Sequence, residues 1–452
     1  MPAFPKPTAT ETDPVASPTA AAALALAGTK AAKASNLSDL TDASAARTNL
    51  GLGTAATHAH SDYATAAQGV RANNATPKGI YVPAGWGGVW LPKVRAGSKA
   101  TVSVVGDSVD AGYFASLKSK TWAGLMKTSL QAIGGDGGSG YISTERAQAV
   151  TSGVASFTNK LAVTGTWADG GAPKAGPGGC AITSTTNGST ATFPVRGSTV
   201  TIFSFRYTGF GDFTYAIDGG SPVTVSCAGA YDITKTTITG LSTGDHSVVI
   251  TKSGTSPVSI LGVSGENASG VVMNNFSLSS TKTEFWNNAN APVGYTSGRW
   301  SGGDLYPSDL AIYGALVNDA QNQVAVDTLI TNIEAYLYYV VGNGATNHGA
   351  TDLLFVIKHI GKWDYSVRKY HTYVTAVKAL GEQYGAAVID LWTIYRNNWD
   401  AFADVSGWGT SSSSPGTVGT DVVHLSDIGN QLYADQITPI VAGTDSRFAF
   451  AA

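Results

Sequence analysis

The chain has 452 residues, room for about three domains at roughly 150 residues each. It is 43% hydrophobic but only 13% charged, against a norm of about 25%, so its surface relies on Ser, Thr, Asn and Gly. The net charge of −3, from 28 Lys and Arg against 31 Asp and Glu, and the lack of any basic stripe argue against a nucleic-acid partner. No stretch approaches the ~20 apolar residues that span a bilayer.

Residues 1–78 differ from the rest. Met1-Pro-Ala-Phe-Pro-Lys-Pro has neither the basic start nor the apolar core of a secretory signal, so export by the ordinary route is not expected. Pro, Ala, Thr and Ser dominate up to Lys33, a composition that reads as flexible or extended. The stretch from Asn36 through Leu50-Gly-Leu-Gly-Thr to His58-Ala-His60-Ser-Asp-Tyr63 resembles the short modules of bacteriophage tail-fibre and tail-spike stalks. Leu37, Leu40, Leu50 and Leu52 are too few to close a core within one chain but can be buried between chains. The resemblance implies a homotrimer joined to phage tail components through the N-terminus, and hence a place on the virion, acting at the host surface. Repeated across three chains, His58 and His60 could ring a metal ion, although an isolated His-x-His pair is more often exposed or structural.

The first part of the next domain, 79–154, passes Trp86 and Trp90 into Thr101-Val-Ser-Val-Val-Gly-Asp107-Ser108-Val109-Asp110-Ala-Gly112. The β-branched run predicts a buried strand that breaks at Gly106, and Tyr113 to Lys127 carry helix-like spacing. Ser108 therefore falls between strand and helix, where backbone N–H groups favour a developing anion. Gly134-Gly-Asp-Gly-Gly-Ser-Gly140 reads as a flexible loop, since it lacks the ending and context of a phosphate loop.

Between 155 and 262 the pattern turns to alternation in short segments such as Thr190 to Val195, Ser198 to Tyr207, Phe213 to Asp218, Pro222 to Ser226 and His246 to Thr251. Turn pairs such as Asp218-Gly219 separate them, which predicts an inserted, jelly-roll-like β-sandwich, either a sugar binder or a spacer. Cys180 and Cys227 both fall here and are expected as buried, unpaired thiols.

From 263 to 452 strands alternate with helices. Strands are predicted at 270–276, 309–313, 353–357 and 387–391, with helices at 326–341 and 365–384, implying a parallel sheet covered on both faces. Asp421-Val-Val-His424 precedes a last helix whose apolar residues include Leu425, Ile428, Leu432 and Ile437. One short loop there can carry both an imidazole and the carboxylate that orients it. Asp421 could instead cap that helix. Lys358 and His359, just past a strand end, are candidates to line the cleft, and His246 and His371 read as structural. Trp286, Trp300, Trp363 and Trp408 fall in loops, where tryptophans more often pin a loop than stack on sugar.

Gly106-Asp107-Ser108 and Asp421-Val-Val-His424 resemble the first and last blocks of the SGNH, or GDSL-type, hydrolases, over roughly residues 80–150 and 262–452. The resemblance implies a serine esterase with a three-layer α/β/α fold and no metal or other cofactor. In it Ser108 is the nucleophile, His424 the base and Asp421 its orienter. Gly314-Ala-Leu-Val-Asn318-Asp319 resembles the family's Gly-x-Asn-Asp block, with Asn318 an oxyanion donor, although the glycine lies two places early and Leu316 stands in its place. The competing Gly342-Asn-Gly-Ala-Thr-Asn347 reads as a helix C-cap. Ser280 falls where the family's second block has the glycine whose N–H donates. If the backbone there demands glycine, Gly140 takes that role, and the Ser108 N–H is a third donor. The expected activity is deacylation, chiefly deacetylation, of a bacterial surface glycan. The alternatives are a fibre that only binds glycan and an esterase of lipid or cell wall.

Overall fold

The computed structural model describes residue 42 and residues 79–113, 115–144, 161–169, 177–287, 307–314, 316–341, 351–359, 367–395, 423–448 and 450. The expected stalk with His58 and His60, the Gly342–Asn347 segment, Trp300, Trp363, Trp408 and Asp421 lie outside the described residues.

The chain opens with β1 (Ile80–Tyr81), α1 (Trp90–Arg95), β2 (Ala100–Val105), α2 (Ser108–Ala111), α3 (Trp122–Gly134) and β3 (Gly140–Ser143). Next come β4 (Ala162–Thr164), β5 (Ala168–Asp169), β6 (Ile182–Ser184), β7 (Thr190–Arg196), β8 (Thr199–Arg206) and β9 (Asp212–Ile217). They are followed by β10 (Val223–Ser226), β11 (Asp232–Ile238), β12 (Asp245–Ser253) and β13 (Val258–Glu266). The remainder is β14 (Val271–Asn275), α4 (Thr283–Trp286), β15 (Leu310–Tyr313), α5 (Val317–Gln321), α6 (Val326–Val340), β16 (Asp352–Ile357), α7 (Val367–Tyr384), β17 (Ala387–Asp390), α8 (Leu391–Ile394) and α9 (Asp427–Val441).

One sheet has the order β1-β17-β16-β15-β2-β14, parallel except for the edge strand β1. Its strands are apolar on both faces, as a sheet covered on both sides requires. Val102, Val104, Ile312 and Val356 point into one cluster with Trp90, Trp122, Met126 and Ile437. Val105, Tyr313 and Phe355 point into another with Trp286, Ile333, Leu337 and Val377. Ser108 stands at the carboxyl end of β2, inside the sheet, where ligands of such sheets collect.

Two antiparallel sheets, β10-β9-β12-β7-β4 and β11-β8-β13-β6-β5, share a third cluster built from alternate residues such as Phe193, Val195, Ile202, Phe213, Val248 and Ile260. Their pairing begins at β3, which joins β13 from Gly140 opposite Gly265, and so reaches beyond the expected 155–262. The glycine-rich segment before β3 is not a free loop. Asp136 bridges to Val271, and Gly138, at φ +102, lies so close that a Cβ there would sit 2.5 Å from the Gly265 carbonyl oxygen. Cys227 is buried, which pushes its thiol up to about 11, whereas Cys180 is only half-buried; neither is in a disulfide.

Three further expectations are corrected. The helix expected over Tyr113 to Lys127 is displaced to α3: α2 ends at Gly112 with φ +83, and the Thr121 hydroxyl accepts the Gly124 N–H to start the next helix. In α9 the buried stripe is Tyr433, Ala434, Ile437, Ile440 and Val441, and Ile428 is exposed. Trp286 lies in helix α4 rather than a loop and is fully buried.

His246 is structural, as expected. It bonds the Asp218 carboxylate through Nδ1 at 2.6 Å and the Ser242 carbonyl through Nε2 at 2.8 Å. The Asp218 hydrogen bond, helped by that carbonyl, holds the imidazole above its ordinary 6.5, and His246 holds Asp218 below its ordinary 3.8. The raised histidine stabilises below its unfolded value and loses its contribution as pH rises through the folded one; the depressed carboxylate loses its contribution as pH falls. The pair therefore stabilises most between about pH 4 and 6.5. Asp218→Ala should lower the melting temperature more at about pH 5.5 than at about pH 8, and an equal shift at both would contradict this.

Candidate active site

Ser108 and His424 are 316 positions apart and meet: Ser108 Oγ lies 2.7 Å from His424 Nε2. That separation fits a hydroxyl donating to a neutral imidazole. Ser108 is nearly buried, with 6% of its surface exposed, and His424 is half-buried. Tyr113 lies against the imidazole with ring centroids 4.7 Å apart, a neighbour for which the sequence carried no signal. The last helix is capped by Ser426, whose hydroxyl accepts the Gly429 N–H, so the cap first considered for Asp421 is already filled by another residue.

The turn around Ser108 rests on buried charge. Asp107 Oδ1 accepts the Val109 N–H at 3.0 Å, and Asp110 Oδ2 accepts the Asp107 N–H at 3.1 Å. Lys358 reaches both carboxylates from beneath, at 2.7 Å from Asp107 Oδ1 and in direct contact with Asp110 Oδ2. All three side chains are fully buried. Burial pushes the Asp110 carboxyl up to about 7 against the pull of Lys358. Lys358 and His359 therefore do not line an open cleft; both are buried, 0% and 1% exposed.

The displaced glycine has a cause in the same carboxylate. A Cβ on Gly314 would lie 2.6 Å from Asp110 Oδ1, so the glycine is needed where it stands. Leu316, in the block's usual glycine place, takes φ −163, outside the left-handed region that favours glycine. After it, the Val317 N–H points to Asp107 Oδ2 at 3.3 Å. Asn318 is half-buried and donates one amide hydrogen to the Thr281 carbonyl at 2.8 Å. Asp319 is an anchor: it accepts the N–H and hydroxyl of Thr283, and burial pushes it up to about 6 despite them.

The segment carrying Ser280 is tied to the nucleophile turn. The Leu278 N–H donates to the Gly106 carbonyl at 3.1 Å, and the Thr281 hydroxyl shares its hydrogen between that carbonyl at 3.0 Å and the Leu278 carbonyl at 2.8 Å. Ser280 itself takes φ +62, the left-handed conformation that glycine favours, at a cost of about 1–2 kcal/mol. Ser280→Gly should therefore raise stability by up to about 1 kcal/mol after its larger chain entropy is subtracted; a lower melting temperature would contradict this. Gly140, the fallback, is built into β3 opposite Gly265. Three segments, 106–110, 278–281 and 316–319, thus converge at Ser108. Among the described residues, the N–H groups of Ser108 and Ser280 and the second amide hydrogen of Asn318 have no acceptor. No group of three or more metal-ligating side chains occurs among the described residues.

No model of a known family matches the chain, and no curated protein matches it. A solved structure of a peptidoglycan O-acetylesterase is similar over 78% of this chain and 94% of that one, with a TM-score of 0.56 and 16% identity. At that identity the likeness shows the fold: a mixed α/β architecture shared with an esterase. A family two carbohydrate esterase from Cellvibrio japonicus matches over 63% of this chain and 99% of that one at 13% identity, with a TM-score of only 0.27.

Proposed function

We propose that the protein is a serine esterase that removes acetyl groups from a bacterial surface glycan. The observation that carries this reading is the 2.7 Å contact between Ser108 Oγ and His424 Nε2 at the carboxyl end of a parallel strand. Ser108 Oγ attacks the acetyl carbonyl carbon and its proton passes to His424 Nε2. The bond from that carbon to the sugar oxygen then breaks, and the leaving oxygen takes the proton. Water, deprotonated by His424, attacks the acyl-enzyme, the bond from the acetyl carbon to Ser108 Oγ breaks to release acetate, and the proton on His424 returns to Ser108 Oγ. Asp421 orients the imidazole. The negative oxygen is held by the Ser108 N–H, the Ser280 N–H and the Asn318 amide, whose uncommitted hydrogens support these roles. Asn318→Ala should lower kcat by about 10²–10³-fold; a loss below about threefold would remove Asn318 from the oxyanion site.

A glycan substrate is supported by the peptidoglycan O-acetylesterase likeness and by the weakly charged surface. The two antiparallel sheets fit the jelly-roll-like insertion, which we assign to glycan or spacer duty. The leader resembles a phage tail-fibre stalk, and on that resemblance alone rest the homotrimer, the attachment to tail components and the site of action on a virion at the host surface. The alternative, a fibre that only binds glycan, draws on two departures from the family pattern, the displaced glycine and Ser280; the first has a steric cause in Asp110, and the second keeps a backbone N–H that can still donate. The test is acetate release from acetylated host polysaccharide. Wild type should release it and Ser108→Ala should not; equal release by both would refute the assignment.

A further inference from the structure

Lys358 and His359 directly follow β16, are buried, and reach opposite halves of the site. Lys358 contacts Asp107 and Asp110 on either side of Ser108. His359 Nε2 donates to the carbonyl of Val423, the residue before His424, at 2.7 Å. That bond leaves Nδ1 to accept from the Tyr433 hydroxyl, which in turn accepts the His359 N–H at 3.1 Å. The dipeptide is fixed from its own side, because the Tyr370 hydroxyl donates to the Lys358 carbonyl at 2.7 Å. Two sequence-distant loops are therefore tied to one rigid point at the end of a central strand.

We infer that Lys358-His359 is a clamp that sets the separation of Ser108 from His424, Lys358 holding the nucleophile turn and His359 holding the base loop. Neither residue touches the reacting atoms, so both are positioning residues, and their kinetic importance rests on the esterase reading. A buried lysine with two carboxylates contributes little stability compared with apolar side chains of the same volume. What it supplies is a fixed geometry, because its Nζ meets two acceptors three residues apart on one turn. The other titratable groups near these carboxylates are Tyr313, Asp319 and Tyr433. Asp319 is anchored to Thr283 and Tyr433 to His359, and among the described residues Lys358 is the cation that binds Asp107 and Asp110.

The test is a crystal structure and steady-state kinetics of the full chain carrying Lys358→Met, His359→Leu or His359→Gln. In the first two the Ser108–His424 contact should open beyond about 3.5 Å, and kcat should fall about 100-fold with KM near the wild-type value. His359→Gln, whose amide can still donate to the Val423 carbonyl, should recover most of the activity. A contact that keeps its hydrogen-bond length in both loss variants overturns the clamp, whatever the activity. Wild-type protein without esterase activity would sink the esterase reading and leave the distances to decide the clamp. Should Lys358→Met not fold, His359→Leu decides it, because it leaves the buried charges in place.

Discussion

His424→Ala should lower acetyl-ester turnover by about 10⁴-fold or more, with the protein still folded. The imidazole is the group within reach of the Ser108 hydroxyl, at 2.7 Å, and without it the attacking oxygen keeps its proton. The side chain is half-buried on a loop ahead of α9, outside the apolar clusters that hold the sheet, so its loss removes little packing. Melting temperature should move by only a few degrees while turnover collapses. A variant retaining more than about a tenth of the wild-type kcat would mean that another base serves Ser108, or that Ser108 is not the nucleophile.

Gly106→Ala should damage both stability and activity. A Cβ at Gly106 would sit 1.9 Å from Asp110 Oδ2 and 2.5 Å from its Cγ, far inside contact distance. A flexible side chain could swing away, but this carboxylate is fully buried and held by Lys358 and the Asp107 N–H. Either the turn shifts or the ion pair breaks, and breaking a buried pair costs about 3–5 kcal/mol. Because Ser108 lies two residues on, a displacement of even ~1 Å should cost about 100-fold in kcat as well. Thermal unfolding and the ester assay on one preparation check both parts; wild-type values in each would show that the turn has slack the geometry does not suggest.

Much of this arrangement was legible in the sequence, for physical reasons that differ by element. The run ending at Val105 is β-branched because its strand is buried on both faces, and the break at Gly106 located Ser108 at its carboxyl end. His424 was legible through its spacing from Asp421, although the structure describes only the histidine. Strict alternation exposes strands such as β7 and β12, which bury one face; β8 and β13 bury both, with Ile202 and Ile260 in one cluster and Phe203 and Leu261 in another. The helix after Ser108 was misplaced because periodicity over Tyr113 to Lys127 spans a left-handed break at Gly112 and a new cap at Thr121. A place just past a strand end reads as a cleft position for Lys358 and His359, whereas their partners lie 248 and 64 positions away and no local pattern encodes such pairing. Gly314 looked like a departure from a motif until the Asp110 carboxylate beside it explained its place.

The most direct measurement is covalent labelling with a fluorophosphonate, followed by mass spectrometry of the modified peptide, on wild type and on His424→Ala. The account predicts one adduct per chain, on Ser108, formed rapidly in wild type and at least about 10³-fold more slowly without the imidazole. An adduct on another serine, or labelling of Ser108 at the same rate in both proteins, would contradict it.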